Sequence, residues 1–336
     1  MSVFSRCVQL AGRCGGYQAA RLLTASHPRI LMYHRFSNQP SAGKVSRDRF
    51  REQVAYIRRF YQPMTLSQLV QCVFESGDVP KNAIVITVDD GYRDFYDVAW
   101  PVLKEFDVPA TLFVTTGFVN GDLWLWPDQV TWLFSRAPVL DRTITVGDFK
   151  LSTPAVHSNR PETWQSLVNY LLSITDAEKH LAIRQLAEAW SLTLPNQAPD
   201  DFAACSWDQL RNMEEAGIEI GGHTITHPSL GRVDQVQARH EIQGCLDMLN
   251  EQLGSRERTF CYPNGEPSDF SIELKGVVQS VGFSAAVAAF ADSLELTHRY
   301  SLRRHSSSED RFQFYKSVSG IELLGHRMRQ TIKVSA

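Results

Sequence analysis

The sequence predicts an α/β fold: a barrel of about seven βα units, with a helical insertion between its third and fourth strands. Three observations lead there. Short apolar runs alternate with helix-periodic segments along the chain, the pattern of a parallel sheet wrapped by helices. Seven such runs occur, which suits a barrel, closed or incomplete, better than an open sheet. One interval, 118–205, is too long for a simple connection between elements.

Taken in order, the strand candidates are 29–33, 83–88, 110–115, 218–221, 259–262, 283–287 and 300–303. Between them lie segments with helix starts. Ser46 precedes a run through Phe50, Val54, Ile57 and Phe60, spaced for one helical face. Ser206 with Gln209 three residues later forms a capping box ahead of Leu210 and Met213. Segments 234–253 and 268–280 read as amphipathic helices. Ser306-Ser307-Ser308 reads as a turn before one last helix carrying Phe312, Tyr315, Val318 and Ile321. The insertion predicts helices near 161–174 and 176–192, and it holds Trp124, Trp126, Trp132 and Trp164. These tryptophans read as the insertion's own small core. For Trp124 and Trp126, a platform on which sugar rings stack is an equal reading.

Composition bounds the rest. With 336 residues, 43% of them apolar and 21% charged, the chain can bury a full core. A net charge of −3 and the absence of a polybasic run give no sign of a nucleic-acid partner. Cys7, Cys14, Cys72, Cys205, Cys245 and Cys261 are scattered, with no Cys-x-x-Cys pair, so neither a disulfide framework nor a thiolate zinc site is expected. Residues 1–26 carry Arg6, Arg13 and Arg21 without the continuous apolar stretch of a secretory signal. They read as a leader, disordered or packed on the surface, with a weak case for an interfacial helix on a membrane or a targeting peptide. Residues 27–336 then form a single domain. The expected location is cytoplasmic.

Two motifs carry the chemistry. Val88-Asp89-Asp90-Gly91 follows an apolar run, and loops after the C-terminal ends of parallel strands are where reacting groups gather. Two adjacent buried carboxylates repel unless a cation or a shared proton relieves them. A metal on one leaves the other as a base. The second motif, His223-Thr224-Ile225-Thr226-His227, sets two imidazoles four residues apart, able to reach one ion at about 2.0–2.1 Å. Nitrogen ligands with one carboxylate suit zinc; iron, cobalt or nickel also fit. Cys261-Tyr262-Pro263-Asn264-Gly265 ends the fifth run with a tight bend. A bend at a strand end can aim a backbone N–H into the cavity to stabilise an oxyanion; the other reading of the motif is simply a turn. Cys261 as a nucleophile lacks an assigned base.

These motifs, in this order, resemble those of the polysaccharide deacetylases with a NodB-homology domain, carbohydrate esterase family four. The resemblance covers about 83–305, interrupted by the insertion. Ile30-Leu31-Met32-Tyr33-His34, followed by Phe36, is similar to the start of the branch that includes the bacterial exopolysaccharide deacetylases. The resemblance implies a distorted (β/α) barrel and metal-dependent removal of acetyl groups from N-acetylated sugars. It makes Asp89 the general base; Asp90, His223 and His227 the metal ligands; and the Asn264 N–H the oxyanion donor. Two departures stand out. The arginine that orients the base in many members is replaced by Cys261, leaving Arg304, or less favourably Arg258, to supply the cation. The family's late Leu-x-His motif, whose histidine is the general acid, reads Leu302-Arg303-Arg304-His305 here, one residue out of register. His305 is the expected acid on that basis, and His34 either lines the site or braces its carboxylates. His240 and His298 read as structural or solvated.

The expectation is therefore a divalent-metal hydrolase, zinc foremost, that de-N-acetylates a saccharide or polysaccharide. An amidase acting on a small linear or cyclic amide, and a non-catalytic glycan-binding protein, are the alternatives.

Overall fold

The barrel is built around strands with no polar face. In the computed structural model, which describes residues 15–289 and 296–334, eight short strands lie parallel in one ladder. They are β1 (Arg29–Tyr33), β2 (Ala83–Val88), β3 (Thr111–Val114), β4 (Glu219–Gly222), β5 (Phe260–Cys261), β6 (Ala286–Ala288), β7 (Leu302–Arg303) and β8 (His305–Ser306). All six residues of β2 are buried, as expected of a parallel strand covered on both sides. The ladder runs β7-β6-β5-β4-β3-β2-β1-β8. β7 and β8 are halves of one segment. Leu302 and Arg303 pair with Val287 and Ala288, while His305 and Ser306 pair with Leu31 and Met32. That segment nearly closes the barrel, so the eight strands amount to the seven staves expected. A further short strand, Gln62–Met64, lies beside the first half of β2, where β3 does not reach.

The helices start where the caps predict. Ser46 accepts from Arg49 N–H at the head of Arg47–Phe60, whose buried face is Phe50, Gln53, Val54 and Ile57. The Ser206/Gln209 capping box heads Trp207–Glu215, and Asp234 caps Gln235–Leu253. The single C-terminal helix expected is two helices, Arg311–Ser319 and Ile321–Val334. They are parted at Gly320, whose left-handed φ of +79° stops the first.

The insertion folds on itself. Its helices Trp126–Ser135, Arg160–Ser173 and Asp176–Ala189 surround a hairpin, 143–152, and share a core that includes Trp124, Trp126, Trp132 and Trp190. Trp124 and Trp126 are 4% and 3% exposed, so their rings serve that core and are not platforms for sugar. The part of the expected leader inside the described residues forms a helix, Tyr17–Leu23. There Tyr17 stacks on Tyr315 at 5.4 Å and Arg21 donates to the Phe60 carbonyl; residues 1–14 lie outside the described residues. Among the described residues no helix is long and apolar enough to cross a membrane.

Candidate active site

The site forms where β1, β2, β4 and β5 end, with a contribution from the closing segment. After Val88 the chain turns back on itself: Asp89 N–H continues the ladder to the Tyr33 carbonyl, and Gly91 N–H returns to the Asp89 carbonyl. Asp90 takes a φ of +77° and Gly91 one of +90°. At Gly91 even a methyl group would press on Val114, its Cβ 3.0 Å from that side chain. Asp89 and Asp90 are left 2% and 7% exposed.

β4 delivers the histidines. His223 N–H donates to the Val114 carbonyl, and its ring Nδ1 lies 2.7 Å from the Cys261 carbonyl. A carbonyl only accepts, so Nδ1 carries the proton and Nε2 faces Asp90 Oδ1 at 3.5 Å. His227 Nε2 lies 3.4 Å from the same oxygen. Thr224 and His227 reach these positions with φ of +66° and +61°. For a β-branched residue such as Thr224 that is a strained conformation, of the sort that concentrates at functional sites.

The electrostatics separate the two carboxylates. Burial alone would raise the pKa of Asp89, but Arg304, together with His34 and His223, outweighs it and holds the group below the usual carboxylate range. Arg304 Nη1 and Nη2 donate to Asp89 Oδ1 and Oδ2 at 2.6 and 2.7 Å, a bidentate clamp, and Nη1 also donates to Thr87 Oγ1. Burial likewise works against ionised Asp90, and His223 and His227 lower it nonetheless. His227 is pushed down to about 4 by burial and by the neighbouring His223, so its imidazole is neutral. Cys261 Sγ lies 3.7 Å from Asp89 Oδ1, and burial raises its pKa, keeping it a thiol.

The donor set fits a divalent ion. Ligand atoms of Asp90, His223 and His227 lie within 4.8 Å of one another, all buried. The Nδ1 of His227 is buried with no partner among the described residues, and His223 is already fixed in the tautomer that presents Nε2. Asp89, His223 and Cys261 are also close together, but Asp89 is committed to Arg304 and Cys261 keeps its proton.

The remaining expected residues fall on both sides. Arg304 is the cation beside Asp89. Arg258 instead binds Glu214 and the Ile220 and Gly254 carbonyls, outside the site. The structure does not bring His305 to the cluster. Side chains alternate along a strand, and with Arg304 turned inward His305 turns outward, its Nδ1 3.0 Å from Glu322 of the last helix. The half-exposed imidazole of His34 has Nε2 3.6 Å from Asp89 Oδ2. Asn264 sits at φ +60° in the bend, its amide side chain on Ser229 Oγ; its backbone N–H has no acceptor among the described residues. His240 and His298 are exposed.

Two groups escaped the reading of the sequence. Glu241 binds the loop between the histidines. Asp128, from the insertion, accepts from Tyr92 O–H at 2.6 Å and lies 3.6 Å from Arg35, next in sequence to His34. No local pattern marks either residue, because each meets its partners only across the fold.

A family model described as polysaccharide deacetylase matches residues 76–139 and 167–286, more than half of the chain. The chain belongs to the polysaccharide deacetylase family. The stretch that the family model passes over, 140–166, holds the insertion's hairpin. A poly-β-1,6-N-acetyl-D-glucosamine N-deacetylase of Escherichia coli (strain K12) is 39% identical over 61 residues, 18% of this chain and 9% of that protein. One of the same name from Staphylococcus aureus (strain N315) is 32% identical over 79 residues, 23% of this chain and 27% of that protein. The matched stretches thus span under a third of either relative. The deacetylase PplD from Streptococcus pyogenes, solved in complex with acetate, superposes with a TM-score of 0.55 at 17% identity, over 84% of this chain and 93% of that one. IcaB from Ammonifex degensii gives 0.56 at 18%, over 88% and 97%. At such identities the likeness is one of fold.

Proposed function

We propose that this member of the family is a metal-dependent hydrolase that removes N-acetyl groups from an N-acetylated saccharide, with Asp90, His223 and His227 as ligands. The observation that carries the reading is the contrast between neighbours: Asp89 is ionised and clamped by Arg304, while Asp90 faces two imidazoles. One carboxylate is thereby kept as a base and the other kept for a cation.

A divalent ion held by Asp90, His223 and His227, zinc by its nitrogen donors, would supply Lewis acidity toward the acetamide carbonyl and would acidify a water. Asp89 accepts the proton of the attacking water, its orientation set by the two Arg304 bonds. The Asn264 N–H donates to the oxygen on which charge develops. His34, half exposed and beside Asp89, gives a proton to the departing amine in place of the outward-facing His305. The products are acetate and a free amino sugar. The names of the two relatives support poly-β-1,6-linked N-acetylglucosamine as the first substrate to try. Free thiols at Cys72, Cys205, Cys245 and Cys261 suit a reducing compartment, in keeping with a cytoplasmic location.

The test is acetate release from N-acetylated glucosamine oligomers, with chelator and with zinc restored. Release that chelator stops and zinc restores is the expected result, and Asp89→Asn should abolish it while keeping the metal. Activity retained by Asp89→Asn, or release indifferent to chelator, would overturn the assignment.

A further inference from the structure

The loop that joins the two histidines holds an unfavourable shape, and one buried side chain braces it from the side opposite Thr116 and Gly117. Thr224 and His227 both sit at positive φ. On one side of the loop, Thr116 and Gly117 N–H donate to the Thr224 and Ile225 carbonyls at 3.1 and 2.9 Å. The fit there is close, since a Cβ on Gly117 would lie 2.7 Å from the Ile225 oxygen. On the other side stands Glu241, 3% exposed, reaching in from the helix Gln235–Leu253. Its Oε2 accepts the N–H groups of both Ile225 and Thr226 at 2.9 Å, and its Oε1 accepts Thr226 Oγ1 at 2.7 Å.

A buried carboxylate is costly unless it is paired or well hydrogen-bonded. Among the described residues no Lys, Arg or His nitrogen lies within 4.0 Å of Glu241, so loop donors alone compensate it. All three donors belong to the residues between His223 and His227. Any shift of that loop would cost Glu241 its hydrogen bonds and would move both imidazoles with it.

We propose that Glu241 is a positioning residue that sets the bite of His223 and His227, and through it the affinity for the ion. This rests on the metal-binding reading above. Partners that orient ligands commonly contribute about 10- to 100-fold in metal affinity. Glu241→Ala removes every acceptor, whereas Glu241→Gln keeps one oxygen for the two N–H groups and loses the charge.

The experiment is zinc titration of the purified full chain against a competing chromophoric chelator, for wild type and both variants, with the thermal midpoint of the metal-free proteins measured beside it. Zinc affinity should fall about 10- to 100-fold in Glu241→Ala and by less in Glu241→Gln. At saturating zinc, kcat should recover more fully in Gln than in Ala. A merely structural role would lower the metal-free midpoint and leave zinc affinity within twofold of wild type, which would overturn the proposal. If Glu241→Ala does not fold, Glu241→Gln decides by itself: affinity equal to wild type overturns, and weaker binding supports. Wild type that takes up no zinc would overturn the metal reading and this one with it, an outcome visible before any variant is made.

Discussion

Replacing Arg304 with Met should destabilise the metal-free protein by about 3–5 kcal/mol at pH 8, the usual cost of stranding one member of a buried ion pair. The structure supplies the reasons. Asp89 and Arg304 are 2% and 3% exposed, so water cannot take over from the lost guanidinium. Two charge-assisted bonds to Asp89 and one to Thr87 disappear together. What remains near Asp89 is a half-exposed imidazole 3.6 Å away, a thiol at 3.7 Å and the His223 ring, none of which replaces a clamp on both carboxylate oxygens.

The loss has a pH dependence of definite sign. In wild type the pKa of Asp89 is lowered, so its contribution holds above the unfolded value of about 4 and fades only as pH falls below it. In Arg304→Met the strongest interaction opposing burial is gone and only His34 and His223 still act against it, so that pKa rises and stability is lost as pH climbs above about 4. The gap between the two proteins is therefore smaller at pH 4 than at pH 8. Urea unfolding at both values, with chelator present, measures it. Adding Asp89→Asn removes the stranded charge, and the double variant should recover most of the deficit. An equal loss at both pH values, or a double variant no better than Arg304→Met, would refute the reasoning.

Two further outcomes follow from the same geometry. His34→Ala should lower kcat by about 10²–10⁴-fold, the range of a lost general acid, whereas His305→Ala should keep kcat near wild type; steady-state acetate release distinguishes them. Asp128, whose pKa is raised to about 7 mainly by burial, contributes stability below the unfolded value near 4 that is lost as pH rises through 7. Asp128→Asn does not titrate, so its thermal midpoint should gain on wild type between pH 5 and pH 8; a constant difference would show that the carboxyl is not held protonated.

Much of this molecule is legible in local pattern. The seven apolar runs became the staves of the barrel because a strand covered on both faces has to be apolar throughout, and β2 is so at all six positions. Ser46, Ser206 and Asp234 cap helices by bonds to residues three positions on, a geometry contained within a single turn. Asp89, Asp90, His223 and His227 stand out because strand ends followed by paired carboxylates or paired imidazoles are short-range features. The split at Gly320 was also local, but an apolar spacing running past it read as one continuous helix.

The tertiary structure decided everything that depends on two distant segments meeting. Whether Arg304 or His305 faces the site depends on how the last segment enters the barrel, and a one-residue change of register exchanges them. The Leu302-Arg303-Arg304-His305 run carries no information on which side lies inward. Pairing to β6 at one end and to β1 at the other turns Arg304 onto Asp89 and sends His305 to Glu322. Trp124 and Trp126 are equally suited by composition to a sugar platform or a core, and only the packing of the insertion placed them in its interior. Residue types thus announced the chemistry. Which side chain faces the cluster depends on closure of the barrel, because a strand's two faces differ only in what lies across from them.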